Sequence, residues 1–356
     1  MQLLDSPNVK YSFTTRIIPF EEMTHYAPLT TPPQIGDVVV AEVLSIGKHS
    51  ALEMRIGANI PIFPGDTIVG VFGNRYATDQ FEGYVPSQPI IECDLLSVGG
   101  VCGKVASAHT SMSTPTRLRM LGNVCNQAGE PINQRAFGLL LSTSQPQGEV
   151  ILVVGSSMNS GKTTTVGTLV RALNRDGFHV AAAKVTGTAA GKDGRYFMGC
   201  GARQVLDFTD AGYPSTYMLS IEELHSIYHS LLTNLRASKP DYIILEIADG
   251  IFQRETRMLL ESGLLRSTVD HIFFAAGDSL AVECGIRHLN EQGWYPRAVS
   301  GAITQSPLMM GEAEAATGIR CLTIDQMMEG EASALLQTLP PFQFEQFNSA
   351  LTQQVA

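Results

Sequence analysis

The chain reads as a two-part protein, a doubly wound, mainly parallel α/β sheet preceded by a small β-barrel or sandwich domain. In ILVVGSSMNSGKTTTVGTLVRAL, which begins at Ile151, a glycine-punctuated loop stands between an apolar run and a helical repeat. Beyond it, apolar runs of strand length alternate with segments of helical period, as in βαβ units. Before it, from about residue 34 to 92, short apolar segments alternate with Gly and Pro and show little helical period.

The early strand-like segments are DVVVAEVLSI, SALEMRI and TIVGVFGNRY, with the turn FPGD at residues 63–66. Residues 96–124 continue this texture, as the end of that domain or as a connector. The polar patch STSQPQGEV, ending at Val150, reads as the boundary between domains at 1–148 and 149–356. Strands are expected at 151–154, 178–183, 242–247, 271–276, 298–303 and 321–324, and helices at 161–174, 221–237, 279–292 and 324–336. The tail PPFQFEQFNSALTQQVA either docks a short helix or frays.

With 356 residues the chain has room for two or three domains. Its formal net charge is -10, and only 16% of residues are charged, below the roughly 25% of ordinary globular chains. A global attraction to nucleic acid or an anionic membrane is not expected. Cys93, Cys102, Cys125, Cys200, Cys284 and Cys321 show no metal-binding spacing, so a reduced cytoplasmic protein is expected. MQLLDSPNVK carries no long apolar run, so neither export nor membrane spanning is expected.

A phosphate cradle needs loop amides that point inward and the positive end of the following helix, and small residues permit both. The strand, loop and helix around Gly161 meet that need, making this a P-loop NTPase domain with Gly155, Ser157, Asn159, Ser160, Gly161, Lys162, Thr163 and Thr164 as the nucleotide-binding set. Lys162 is expected on the β and γ phosphates, and the Thr163 hydroxyl on Mg2+. Ser156 occupies the usual first glycine position, and Gly155 lies one residue earlier.

That longer spacing resembles the dethiobiotin-synthetase-like branch of P-loop proteins, and the loop is similar to that of the molybdopterin-guanine dinucleotide biosynthesis adaptor. The resemblance covers roughly residues 150–330. It implies an α/β nucleotide-binding fold, a phosphate-binding lysine at Lys184 and a metal-binding glutamate at Glu246. Val185 stands where the family has proline, and Ile247 and Asp249 replace two glycines of its Glu-Gly-Ala-Gly-Gly segment. Asp249 is therefore a second candidate for the metal, and the family also implies a possible homodimer.

Apart from the resemblance, Lys184, Lys192 and Arg195 in AAAKVTGTAAGKDGR form the densest cationic stretch near a strand's carboxyl end. Such groups receive phosphate or carboxylate. Thr186 and Gly187, followed by Asp207 and Asp210, also resemble a family of uncharacterised P-loop proteins with a Thr-Gly segment and later acids. Lys184, Thr186, Lys192, Arg195 and Asp207 make the expected substrate-binding set; Lys162, Lys184 and Glu246 make the catalytic set; Thr163, Glu246 and Asp249 make the metal set. Asp278 is equally a helix cap, and Cys284 reads as a packed small hydrophobe.

The leading expectation is an ATP- and Mg2+-dependent ligase or kinase acting on a small anionic metabolite. One alternative is a nucleotide-dependent switch or adaptor with the early β-domain as docking module. Another is a polynucleotide kinase, against which the net acidity and the lack of an aromatic-basic stripe speak.

Overall fold

The computed structural model describes residues 2–4, 8–142 and 147–338. The carboxy-terminal tail and part of the polar boundary patch lie outside these residues. The chain divides into two units, one comprising Met1–Leu140, Gly187–Lys192 and Asp207–Leu219, the other Leu141–Thr186, Asp193–Leu206 and the chain from Ser220 onward.

The first unit is built on β1 (His25–Ala27), β2 (Val38–Ser45), β3 (Thr67–Phe72), β4 (Phe81–Tyr84), β5 (Glu92–Leu95), β6 (Val101–Ala108) and β7 (Thr116–Cys125). Strand β7 pairs antiparallel with β2, β2 pairs antiparallel with β3, and β3 runs parallel to β6. Strand β5 pairs with both β6 and β7, which closes the ring into a barrel. Residues 96–124 therefore supply two barrel strands and are not a connector. DVVVAEV reads as a nearly continuous apolar run because β2 is buried on both faces. Val39, Ala41 and Val43 pack with Ile68, Leu95 and Leu118, while Val38 and Val40 pack with Val69, Val71 and Val124.

In the second unit a six-stranded sheet carries β8 (Glu149–Gly155), β9 (Val180–Lys184), β10 (Gln204–Asp207), β11 (Tyr242–Glu246), β12 (His271–Ala275) and β13 (Ala298–Ser300). The helices are α1 (Lys162–Arg175), α2 (Lys192–Gly199), α3 (Ile221–Arg236), α4 (Arg254–Glu261), α5 (Ser279–Glu291) and α6 (Pro307–Thr317), with shorter helical turns between and after them. The strand order is β10-β9-β11-β8-β12-β13, and β8 runs parallel to both neighbours. This is an α/β P-loop fold preceded by a β-rich region. From β8 the chain goes to one side of the sheet, and from β11 it passes to the other. Strand β8 thus stands at the topological switch point, beyond whose carboxyl end α/β sheets bind ligands.

Val166, Leu169, Val170 and Leu173 recur at helical spacing, and α1 buries all four against Ile151, Val153, Ile244 and Phe273. Burying each such side chain contributes roughly 1.5–3 kcal/mol, which anchors the helix below the loop. The strand expected at 321–324 reduces to one bridge, Cys321 to Val299, because Thr323 and Gln326 form a capping box that starts a helix at Ile324. The helix expected at 324–336 is broken where Gly330 takes φ 100.

Candidate nucleotide-binding site

The loop between β8 and α1 reverses its backbone twice. Gly161 caps α1 at φ 100, where a Cβ would lie 2.7 Å from the Cα of Gly301. Asn159 sits at φ 63, a conformation Asn tolerates better than most side chains. Left-handed residues in such a loop turn amides into an anion-binding concavity. The first intrahelical bond runs from Thr165 N to Gly161 O at 2.9 Å, so the amides of Lys162, Thr163 and Thr164 stand at the positive helix end. Gly155 ends β8 where a Cβ would lie 2.8 Å from Ala275 O.

Lys162 is only 6% exposed, and its Nζ donates to Ser157 O at 2.7 Å and lies 3.5 Å from Ser160 Oγ. Burial depresses its ammonium below the ordinary lysine value, and Glu246 and Asp249 oppose that. Ser157, Asn159 and Thr164 are exposed along the loop and first turn.

Glu246, the last residue of β11, is 1% exposed. Its Oε1 accepts the Thr163 hydroxyl at 3.2 Å and lies 3.4 Å from Lys184 Nζ. Its Oε2 is buried without a hydrogen-bond partner. A hydroxyl and an under-satisfied carboxylate fit a hard cation such as Mg2+, which takes few protein oxygens and completes its shell with phosphate and water. Among the described residues no group of three or more His, Cys, Asp or Glu forms a protein cage. Bound there, Mg2+ would neutralise phosphate charge.

Lys184 ends β9 and is also paired with Asp193 in the first turn of α2. Burial would lower its ammonium, but Glu246, Asp193 and Asp249 outweigh it and hold the group above the ordinary lysine value. Thr186 is 1% exposed, donates to Ala248 O at 2.6 Å and accepts from Ala248 N at 2.8 Å. It thereby fixes the main chain next to Asp249. Lys192 and Arg195, read from sequence as loop residues, lie exposed on α2. Asp207 closes β10 at the point where the chain returns to the first unit, and it pairs there with Arg16 at 3.0 Å. Asp278 caps α5 by accepting from Ala281 N at 2.8 Å.

Lys162, Thr163, Lys184 and Glu246 thus meet around one cradle. Asp193 was missed by sequence reasoning, because no spacing rule links a strand-end lysine to an acid on the next helix. A separate cleft of about 550 Å3 lies at the amino end of the sheet, beside Glu149, Tyr242 and Asp270, and holds none of the cradle residues.

No protein-family model matches the chain, and no curated protein does. Among solved structures it is similar to the signal recognition particle 54 kDa protein from Aeropyrum pernix K1 in complex with GDP, at 18% identity and a TM-score of 0.38, covering 54% of this chain and 49% of that one. It is also similar to the signal recognition particle receptor FtsY from Elizabethkingia anophelis in complex with GDP, at 14% identity and a TM-score of 0.34, covering 50% of this chain and 57% of that one. A second structure of that receptor gives 13% identity and a TM-score of 0.35, covering 55% and 66%. The chain therefore spans less than two thirds of each of these structures.

These matches correct the reading from loop spacing. They fall on signal-recognition proteins, two of them titled with GDP, and not on the dethiobiotin-synthetase-like or molybdopterin-adaptor branch. The expected ATP-dependent ligase or kinase, the polynucleotide kinase and ATP as cofactor are withdrawn with that branch. The small anionic substrate and the exclusion of a membrane are withdrawn as well. The loop spacing misled because it describes how phosphate is held and says nothing of what lies beyond. Among the described residues no helix is long and apolar enough to cross a membrane.

Proposed function

We propose that the second unit is a nucleotide-dependent switch that binds a nucleoside triphosphate with Mg2+. The observation that carries this reading is the sharing of Glu246 Oε1 by the Thr163 hydroxyl and the Lys184 ammonium. Around the cradle the polar groups are committed to other parts of the fold. Lys184 reaches α2 through Asp193, and Thr186 holds the main chain at Ala248. A switch needs such wiring, since phosphate and metal must bias the position of elements beyond themselves.

In this reading Gly155, Ser157, Asn159, Ser160, Gly161, Lys162, Thr163 and Thr164 hold the nucleotide, and Thr163, Glu246 and Asp249 serve the metal. The barrel domain, residues 1–148, docks a protein partner, and the nucleotide domain is 149–356. The free cysteines support a cytoplasmic location.

The test compares amide hydrogen exchange in the empty, diphosphate-loaded and triphosphate-loaded protein with Mg2+, using guanine and adenine nucleotides in parallel. The reading expects triphosphate to change protection across α2 and the segment after β11, and diphosphate to do so differently. Identical exchange in both loaded states would sink the switch, and absence of binding would sink the site.

A further inference from the structure

We propose that Lys184 is a built-in counter-cation that occupies Glu246 in the empty site and yields it to Mg2+ on loading. This rests on the reading of Thr163 and Glu246 as metal ligands. Strands β9 and β11 are parallel neighbours with Lys184 in register with Glu246, both at the strand ends. The main chains are tied there as well, with Val185 N donating to Glu246 O at 2.8 Å. The two side chains therefore lie side by side without freedom for the strands to slide, and they can part only by side-chain rotation.

Two groups converge on one oxygen. Thr163 Oγ1 lies 3.2 Å and Lys184 Nζ 3.4 Å from Glu246 Oε1. A Mg2+ ion bound by that oxygen and the hydroxyl would carry two positive charges into the space beside the ammonium. Repulsion at such a separation disfavours joint occupancy in a buried site. The carboxylate keeps a second, unpartnered oxygen for the ion. Lys184 keeps a second carboxylate, Asp193, in the first turn of α2. Neither partner is left as an isolated buried charge after the exchange, which is the condition for it to be reversible.

Lys184 is accordingly a positioning residue. In the empty protein it neutralises Glu246 and weakens the hold of the site on a metal ion. In the loaded protein its remaining tie is to α2, so the occupancy of Glu246 is reported to that helix.

The test is performed without nucleotide, so that it is separate from any failure of triphosphate binding. Mn2+ serves as a paramagnetic stand-in for Mg2+, and its free ion is titrated by electron paramagnetic resonance. Lys184→Met should bind Mn2+ more tightly than the native protein by on the order of tenfold, the size of effect a neighbouring charge has on a proton affinity. Lys184→Arg should restore the weak native binding. Adding Glu246→Gln to Lys184→Met should abolish the gain. Should Lys184→Met fail to fold, Lys184→Gln takes its place with the same expectation. Equal Mn2+ affinity in native and neutral variants, or weaker binding in the variants, would overturn the proposal.

Discussion

The hydroxyl of Thr163 and Oε1 of Glu246 are 3.2 Å apart although 83 residues separate them in the chain. Parallel pairing of β8 with β11 creates this meeting, since it brings the strand that leads into the loop beside the strand that ends on the carboxylate. Glu246→Gln keeps the shape and removes the charge. A charge-assisted interaction contributes about 1.5–3 kcal/mol, so triphosphate affinity in Mg2+ should fall on the order of tenfold to a hundredfold. Affinity in chelator should change little. Calorimetric titration with and without Mg2+ checks both, and an unchanged Mg2+ dependence would remove Glu246 from the metal site.

In the proposed cradle, Lys162 should matter to binding more than to folding. Its ammonium is spent on Ser157 O and lies near Ser160 Oγ, groups of its own loop, while α1 is anchored by Val166, Leu169, Val170 and Leu173. Lys162→Ala should therefore lose measurable triphosphate binding and keep its midpoint of thermal unfolding within a few degrees, roughly the shift of a 1 kcal/mol change. Fluorescent-nucleotide binding and calorimetry separate the two effects. Retained affinity would refute the cradle.

Thr186 tests whether the segment after β11 is held from outside. Its hydroxyl is satisfied twice by Ala248, once as donor and once as acceptor. Thr186→Val leaves the buried Ala248 N–H without that acceptor, which costs about 1–3 kcal/mol. Ala248 O retains a donor in Thr256 Oγ1 at 2.9 Å, so its loss is the smaller part. Urea unfolding should show the destabilisation. Because the main chain beside Asp249 is freed, the Mg2+ concentration needed for half-maximal triphosphate binding should also rise. A purely structural Thr186 would leave that concentration where it was.

Much of this was legible in the sequence for one physical reason, the difference in period between strand and helix. The run 151–154 followed by Val166, Leu169, Val170 and Leu173 marks β8 and α1, and DYIILE marks a buried strand with Glu246 at its end. Helix α2 was hidden because AAGKDGR reads as a glycine-rich loop, although Asp193 stands in its first turn. Strand β10 was hidden because QVLD is short and half-buried, and it runs into the turn containing Asp210. Barrel closure was out of reach, because it depends on β5 pairing with two strands at once. The role of Asp207 was equally out of reach, since its partner Arg16 lies 191 residues away.

That pairing gives a pH dependence. Arg16 lies 3.0 Å from Asp207 and 2.8 Å from Asp210 within the first unit. Burial first, and then the neighbouring Asp207, push the Asp210 carboxyl up to about 6 from an ordinary 3.8, with Arg16 opposing. The folded state thus holds the Asp210 proton more tightly than the unfolded chain does. Its contribution to stability is fully present below the unfolded value and is lost as pH rises through about 6. Asp210→Asn cannot titrate, so the stability of the native protein relative to this variant should fall between about pH 4 and pH 7, by on the order of 2 kcal/mol. Urea unfolding of both proteins at steps across that range measures the difference directly. A flat difference would mean that Arg16 cancels the burial, and a rising one would mean that the ion pair dominates and Asp210 is held charged throughout.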